Sequence, residues 1–205
     1  MELESAILTI ALAFALWMRP WRLLAGGHLF SPMLAVLVLL PWLWALPALH
    51  RIPLQLHWSG ASLVLLLLGW PLAMPVLTAV GLIAYALSPM AAEQALGITV
   101  WQGVVPATLA LMLGAAIRRW IGTHLFTYIL GRGFLGTVLC LFLGGLLAQW
   151  AGHTLPDVPD GLSLVARWLT AWGDAFVTGM LCAIFVAFKP HWLATWSDQV
   201  YLARR

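Results

Sequence analysis

Long apolar blocks separated by short polar breaks dominate the chain, and each block has the length and continuity of a helix rather than the alternation of a strand. The first runs from about Glu4 to Trp17 and stops at Arg19-Pro20-Trp21-Arg22. A second spans about Phe30 to Leu49 and ends at His50-Arg51-Ile52-Pro53. The stretch from about Gly60 to Leu87 is interrupted by Gly69-Trp70-Pro71 and by Pro75. A proline lacks the backbone donor and clashes with the preceding turn, so a break near Pro71 is expected, giving two helices where one long kinked helix is the alternative. A loop from Ser88 to Gly97 precedes a helix from about Thr99 to Ile117, which ends at Arg118-Arg119. A block from about Phe134 to Trp150 leads to the acidic loop Asp157-Val158-Pro159-Asp160. The last block covers about Val165 to Phe188 and ends at Lys189-Pro190.

Blocks of roughly 20 apolar residues can cross a bilayer core. Composition agrees: 8% of the 205 residues are charged, against about a quarter in a soluble domain. The expected fold is therefore a single all-α integral membrane domain over residues 1–205, with seven transmembrane helices, or six if Gly60 to Leu87 is one helix. The acidic start Met1-Glu2-Leu3-Glu4 lacks the basic leader of a signal peptide and predicts a retained first helix.

Charge placement chooses between the two counts. With seven crossings and the amino terminus outside, Arg19, Arg22, Arg118, Arg119, Arg132, Lys189, Arg204 and Arg205 all fall on the inner side. Only Arg51 and Arg167 fall at outer ends. Six crossings would divide the Arg118-Arg119 pair from the charged carboxyl end, so the positive-inside bias favours seven, with the amino terminus out and the carboxyl terminus cytoplasmic. Tryptophans near the expected helix ends suit the headgroup level. The net charge of +3 belongs to these loops and gives no reason to expect nucleic acid. No internal repeat of the inverted-repeat transporter kind is evident.

A few polar groups need a role. The Met1 amine, His50, His57, His153, Asp157 and Asp160 gather towards the outer side of this topology. Amines and imidazoles suit nickel, cobalt, copper or zinc. His50 and His153 read as solvated or interfacial loop residues. Gln102, beside Trp101 and Gly103, either faces a cavity or bonds a neighbouring helix. Asp174 lies deep in the last helix, where a carboxylate is costly and either faces a partner or water, or serves as paired structural glue. Ala11 and Ala15 have the spacing that lets another helix approach closely. Cys140 and Cys182 lie in apolar blocks and read as small packing residues. No Walker motif and no nucleophile with a convincing His/Asp arrangement occurs, so no enzymatic activity is expected.

Three segments carry a resemblance. Leu56-His57-Trp58-Ser59-Gly60-Ala61-Ser62-Leu63 with Leu67-Leu68-Gly69-Trp70-Pro71, then Ala95-Leu96-Gly97-Ile98-Thr99-Val100-Trp101-Gln102-Gly103, then Gly173-Asp174-Ala175-Phe176-Val177-Thr178-Gly179 resemble, in the same order, segments of the cobalt/nickel permease family CbiM/NikM. Lys189-Pro190 falls where that family closes its last helix. The resemblance implies the S-component of an energy-coupling factor (ECF) transporter in the bacterial inner membrane. Such a permease subunit takes a divalent metal as substrate and works with a T-component and cytoplasmic ATPase subunits of an ABC transporter.

It also implies seven helices with the amino terminus outside, and a metal site using the terminal amine of Met1 and a histidine at His57. The family's histidine at position two is replaced by Glu2, so the terminal chelate is incomplete and the ligand or metal is expected to differ. On this reading Glu2 and Gln102 line the substrate pocket, and Ala11 and Ala15 meet a partner helix of the T-component. The alternative is a membrane scaffold or accessory subunit that kept the fold and lost the metal site.

Overall fold

In the structure, a computed structural model, residues 1–50, 58–155, 158–197 and 201 are described, the side chains of His50 and Asp160 excepted. His57, Arg51, Asp157, Arg204 and Arg205 lie outside the described residues. The described chain is helical, with no strand among these residues. Helices α1 (Glu2–Trp17), α2 (Trp21–Leu24) and α3 (Phe30–His50) are followed by α4 (Ala61–Leu68) and α5 (Trp70–Leu87). Next, α6 (Ala92–Ile98) runs through a π-helical turn, Thr99–Val104, into α7 (Val105–Trp120). A second π-helical segment, Thr127–Leu135, leads into α8 (Gly136–Trp150), and α9 (Ser163–Phe188) completes the bundle.

Five continuous helical stretches among the described residues are long and apolar enough to cross a membrane: 30–49, 70–87, 92–120, 127–150 and 163–188. The seven expected crossings include two weaker elements. Helix α1 has 16 residues, and α4 has eight, a rise of only about 12 Å at about 1.5 Å per residue.

The expected break near Pro71 falls at Gly69. That residue adopts φ 73°, ψ 157°, a conformation open to glycine and closed to side chains with a Cβ. Pro71 itself sits in the first turn of α5, where its missing N–H has no intrahelical partner to lose. The expected loop from Ser88 to Gly97 is largely helix, because Ala92-Glu93-Gln94-Ala95-Leu96 consists of good helix formers. Residues 127–133 are likewise helical, so Arg132, expected in an inner loop, lies within a helix and is 9% exposed.

Outward faces are apolar and polar groups lie inside. Leu135, Leu139, Leu143 and Leu147, four residues apart along one stripe, are all exposed. Ser59, Thr99, Thr137, Asp174 and Thr178 are buried. This inversion of the soluble pattern suits a lipid surround, where intrachain hydrogen bonds must satisfy every polar group. Packing of α3 and α1 on α5, α4 on α7, and α8 on α9 builds a core centred on Trp44, Leu63 to Leu68, Met74, Leu77 and Val80. Ala11 and Ala15 are buried in that same core, and the outward side of α1 carries Ile10, Phe14 and Trp17.

The carboxyl-terminal segment closes the end of the bundle away from Met1. Ala194 N–H donates to Leu67 O at 2.9 Å, and the Thr195 hydroxyl donates to Leu66 O at 3.0 Å, so two orphan carbonyls at the end of α4 are satisfied. With its hydrogen so used, Thr195 accepts from the Tyr128 hydroxyl at 2.7 Å. Arg132 lies over the Tyr128 ring, 5.3 Å from its centroid, and donates from Nη1 to the Tyr201 hydroxyl at 3.2 Å. Gly114 faces this guanidinium: a Cβ there would lie 2.7 Å from both Nε and Nη2.

Candidate functional site

Two polar clusters share the Trp101-Gln102 turn. The first begins in α1, whose first turn directs Glu4 inward while Glu2 stays exposed. Glu4 is 5% exposed and holds two cationic or cation-capable groups at once. The Met1 amine lies 2.6 Å from Oε2, and His153 Nε2 lies 2.5 Å from Oε1. The Trp101 indole N–H is buried and has no hydrogen-bond partner among the described residues. Its ring faces His153 with centroids 5.8 Å apart.

His153 reaches Glu4 because of how α8 ends. Gly152, at φ 90°, follows the last turn; its N–H donates to Gln149 O at 3.0 Å, and His153 N–H donates to Ala148 O at 2.9 Å. This is a Schellman closure, which fixes the direction of the residue after the glycine. Arg167 then clamps the turn from α9, donating from Nη2 to His153 O at 2.7 Å and from Nε to Gln149 Oε1 at 3.2 Å. His153, expected as a solvated loop residue, thus joins α1 to the α8–α9 connection.

Hydrogen bonding to Glu4 raises the pKa of the Met1 amine, with desolvation opposing it. A raised value means that the pairing is intact below the ordinary amine range and is lost as pH rises through the raised value. Glu4→Gln should therefore lower the thermal midpoint in detergent by about 3 °C at neutral pH, with the gap closing in alkali. Equal midpoints at neutral pH would show that the cluster does not hold α1.

The second cluster lies within the bundle. Asp174, 3% exposed, accepts at Oδ2 from Ser59 N–H at 2.6 Å and from Gly60 N–H at 3.3 Å. At Oδ1 it accepts from the Thr178 hydroxyl at 3.1 Å. The donors explain the carboxylate. Gly60 precedes the first turn of α4 and has no side chain to cap it, so α9 supplies a carboxylate to a buried helix start, where unpaired N–H groups and the macrodipole favour negative charge.

Ser59 extends the knot to two more elements. Its hydroxyl accepts from Ala61 N–H at 3.1 Å and donates to Gln102 O at 2.5 Å. Its carbonyl accepts from the Trp44 indole at 3.2 Å. Gln102 O needs that donor because the residue four positions on is Pro106, which has no N–H for an α-helical register. The Gln102 side chain is half-buried and its Oε1 has no hydrogen-bond partner among the described residues.

Of the sequence-derived candidates, Met1 falls in the first cluster, while Asp174 and Gln102 fall in the second. Glu2 belongs to neither, and His57 lies outside the described residues, two positions before Ser59 in the chain. Glu4, His153 and Arg167 were missed as a set because nothing in the sequence shows which turn faces α1. The first cluster offers an amine, a carboxylate and an imidazole, a mixed N/O donor set of the kind borderline divalent metals accept. No group of three His, Cys, Asp or Glu side chains converges among the described residues. No protein family, curated protein or solved structure matches the chain.

Proposed function

We propose that the chain is a membrane-embedded, substrate-binding permease subunit of an ECF-type ABC transporter, similar to the CbiM/NikM S-components, and that it takes up a divalent transition metal such as nickel or cobalt. The observation that carries this reading is the meeting of the Met1 amine with Glu4, His153 and the Trp101-Gln102 turn at one end of an apolar bundle. Seven passes follow if residues 58–68 complete one traverse and α1 another. The amino terminus is then outside the bacterial inner membrane, where substrate arrives. The opposite end carries most of the basic residues and faces the cytoplasm, where a T-component and its ATPases would engage it. His57 and the Met1 amine are the proposed metal ligands, and the unpartnered amide oxygen of Gln102 lines the pocket.

Isothermal titration of the purified chain with nickel, cobalt, zinc and copper tests this. Affinity should fall at least tenfold in His57→Ala. It should rise with pH, because a metal must displace the proton from the amine. No binding of any of the four metals would remove the metal reading.

A second reading, a scaffold or accessory subunit without transport, is favoured by one observation. The amine, Glu4 and His153 already satisfy one another without a ligand. Purification of the tagged chain from native membranes separates the two: a transporter subunit brings ATPase chains with it, and a scaffold comes without them.

A further inference from the structure

Residues 58–60 are non-helical, yet they are held at the level of the middle of α9. Backbone of this kind is tolerated at membrane depth only when its polar groups are satisfied by protein. Three separate elements do so here: α9 through Asp174, α3 through Trp44 and the π-helical turn through the Gln102 carbonyl. The three contributions are unequal. Trp44 and Gln102 each give one neutral bond to Ser59, whereas the Asp174 carboxylate takes two successive backbone N–H groups. Bonds to an ionised acceptor are roughly twice as strong as neutral ones, and consecutive N–H groups form a natural anion nest.

The carboxylate is in turn steered by Thr178 one turn along its own helix. Asp174 therefore holds the segment as the shared acceptor of two consecutive N–H groups. What it holds reaches the Gln102 carbonyl through the Ser59 hydroxyl.

We infer that Asp174 is a positioning residue: its carboxylate latches residues 58–60 into the bundle and, through the Ser59 hydroxyl, fixes the Trp101-Gln102 turn that lines the proposed pocket. The inference rests on the proposed function for the word pocket, but the latch can be tested without it. Asp174→Asn keeps the shape and removes the charge, leaving a neutral amide oxygen for the two N–H groups and an NH2 towards the Thr178 hydroxyl. A thiol introduced by Trp58→Cys reports release of the segment through its rate of reaction with a membrane-impermeant maleimide. Cys140 and Cys182 are buried and give a low background. A thiol introduced by Met74→Cys, in the core of α5, reports general loosening.

Asp174→Asn should speed labelling at position 58 at least tenfold and leave position 74 unreactive. Thr178→Val, which removes one donor and keeps the carboxylate, should speed it about threefold, and it decides the matter if Asp174→Asn does not fold. An unchanged rate at position 58, or equal gains at 58 and 74, overturns the latch. In parallel, nickel affinity should fall about tenfold in Asp174→Asn at unchanged stoichiometry. A parent chain that binds no metal overturns the functional reading alone, since the labelling still decides the latch.

Discussion

Asp174→Ala should lower the stability of the folded bundle by about 4 kcal/mol, the largest effect expected of any single truncation in the chain. Removing the carboxylate leaves the N–H groups of Ser59 and Gly60 buried without an acceptor, and each orphaned buried donor costs about 1–3 kcal/mol. Thr178 loses its acceptor as well, although its hydroxyl can turn to a backbone carbonyl one helical turn back. Asp174→Leu should be no better, because restoring volume does nothing for the donors. Equilibrium unfolding in mixed micelles measures the difference. A loss below about 1 kcal/mol would mean that water reaches Ser59 and Gly60.

Gly114→Val should be the next most damaging change, at about 3 kcal/mol. The added carbons fall where the Arg132 guanidinium lies, since even the Cβ would come within 2.7 Å of two of its nitrogens. An exposed arginine would swing aside at little cost. This one is pinned by the Tyr128 ring and the Tyr201 hydroxyl, and displacing it would also disturb the carboxyl-terminal segment, where Trp196 stacks on Tyr201 with centroids 4.7 Å apart. Arg132→Met in the same chain should recover most of the loss, because a flexible apolar side chain can yield and carries no charge to bury. If the double variant is no more stable than Gly114→Val alone, the damage lies in helix packing and not at the guanidinium.

How much of this was legible in the sequence depends on the range of the interaction. Apolar runs located the long helices, since hydropathy and helix length are properties of contiguous residues. The break between α4 and α5 was visible through Pro71 but displaced by two residues, because proline marks a first helical turn as readily as an interruption. The helical character of residues 92–98 and 127–133 was hidden by their polar residues: Glu93 and Gln94 are exposed, whereas Tyr128 and Arg132 pack inside the bundle. Gln102 carried a readable signal that went unused: a proline four positions later leaves its carbonyl without a helical donor. By contrast, the pairing of Glu4 with His153 spans 149 positions and depends on the direction in which the Gly152 turn leaves α8. The partners of Asp174 on Ser59 and Gly60 lie more than 110 positions away. Sequence placed Asp174 deep in an apolar helix and left its role open between glue and function; which backbone groups it meets is a property of the assembled bundle.

Helix α4 bears on the order in which the protein is made. All eight of its residues are buried, so it has no side fitted to lipid, and it is too short to be a stable stop on its own. To the insertion machinery, residues 60–87 present one apolar length without a charge that is read before any downstream helix exists. The carboxylate that caps α4 arrives more than a hundred residues later on α9, and the groups that close its far end arrive later still on Ala194 and Thr195. Helix α4 can meet α3, α5 and α7 earlier, but both of its ends are capped only once α9 and the segment after it have been made. A chain truncated before α9 would leave this segment uncapped.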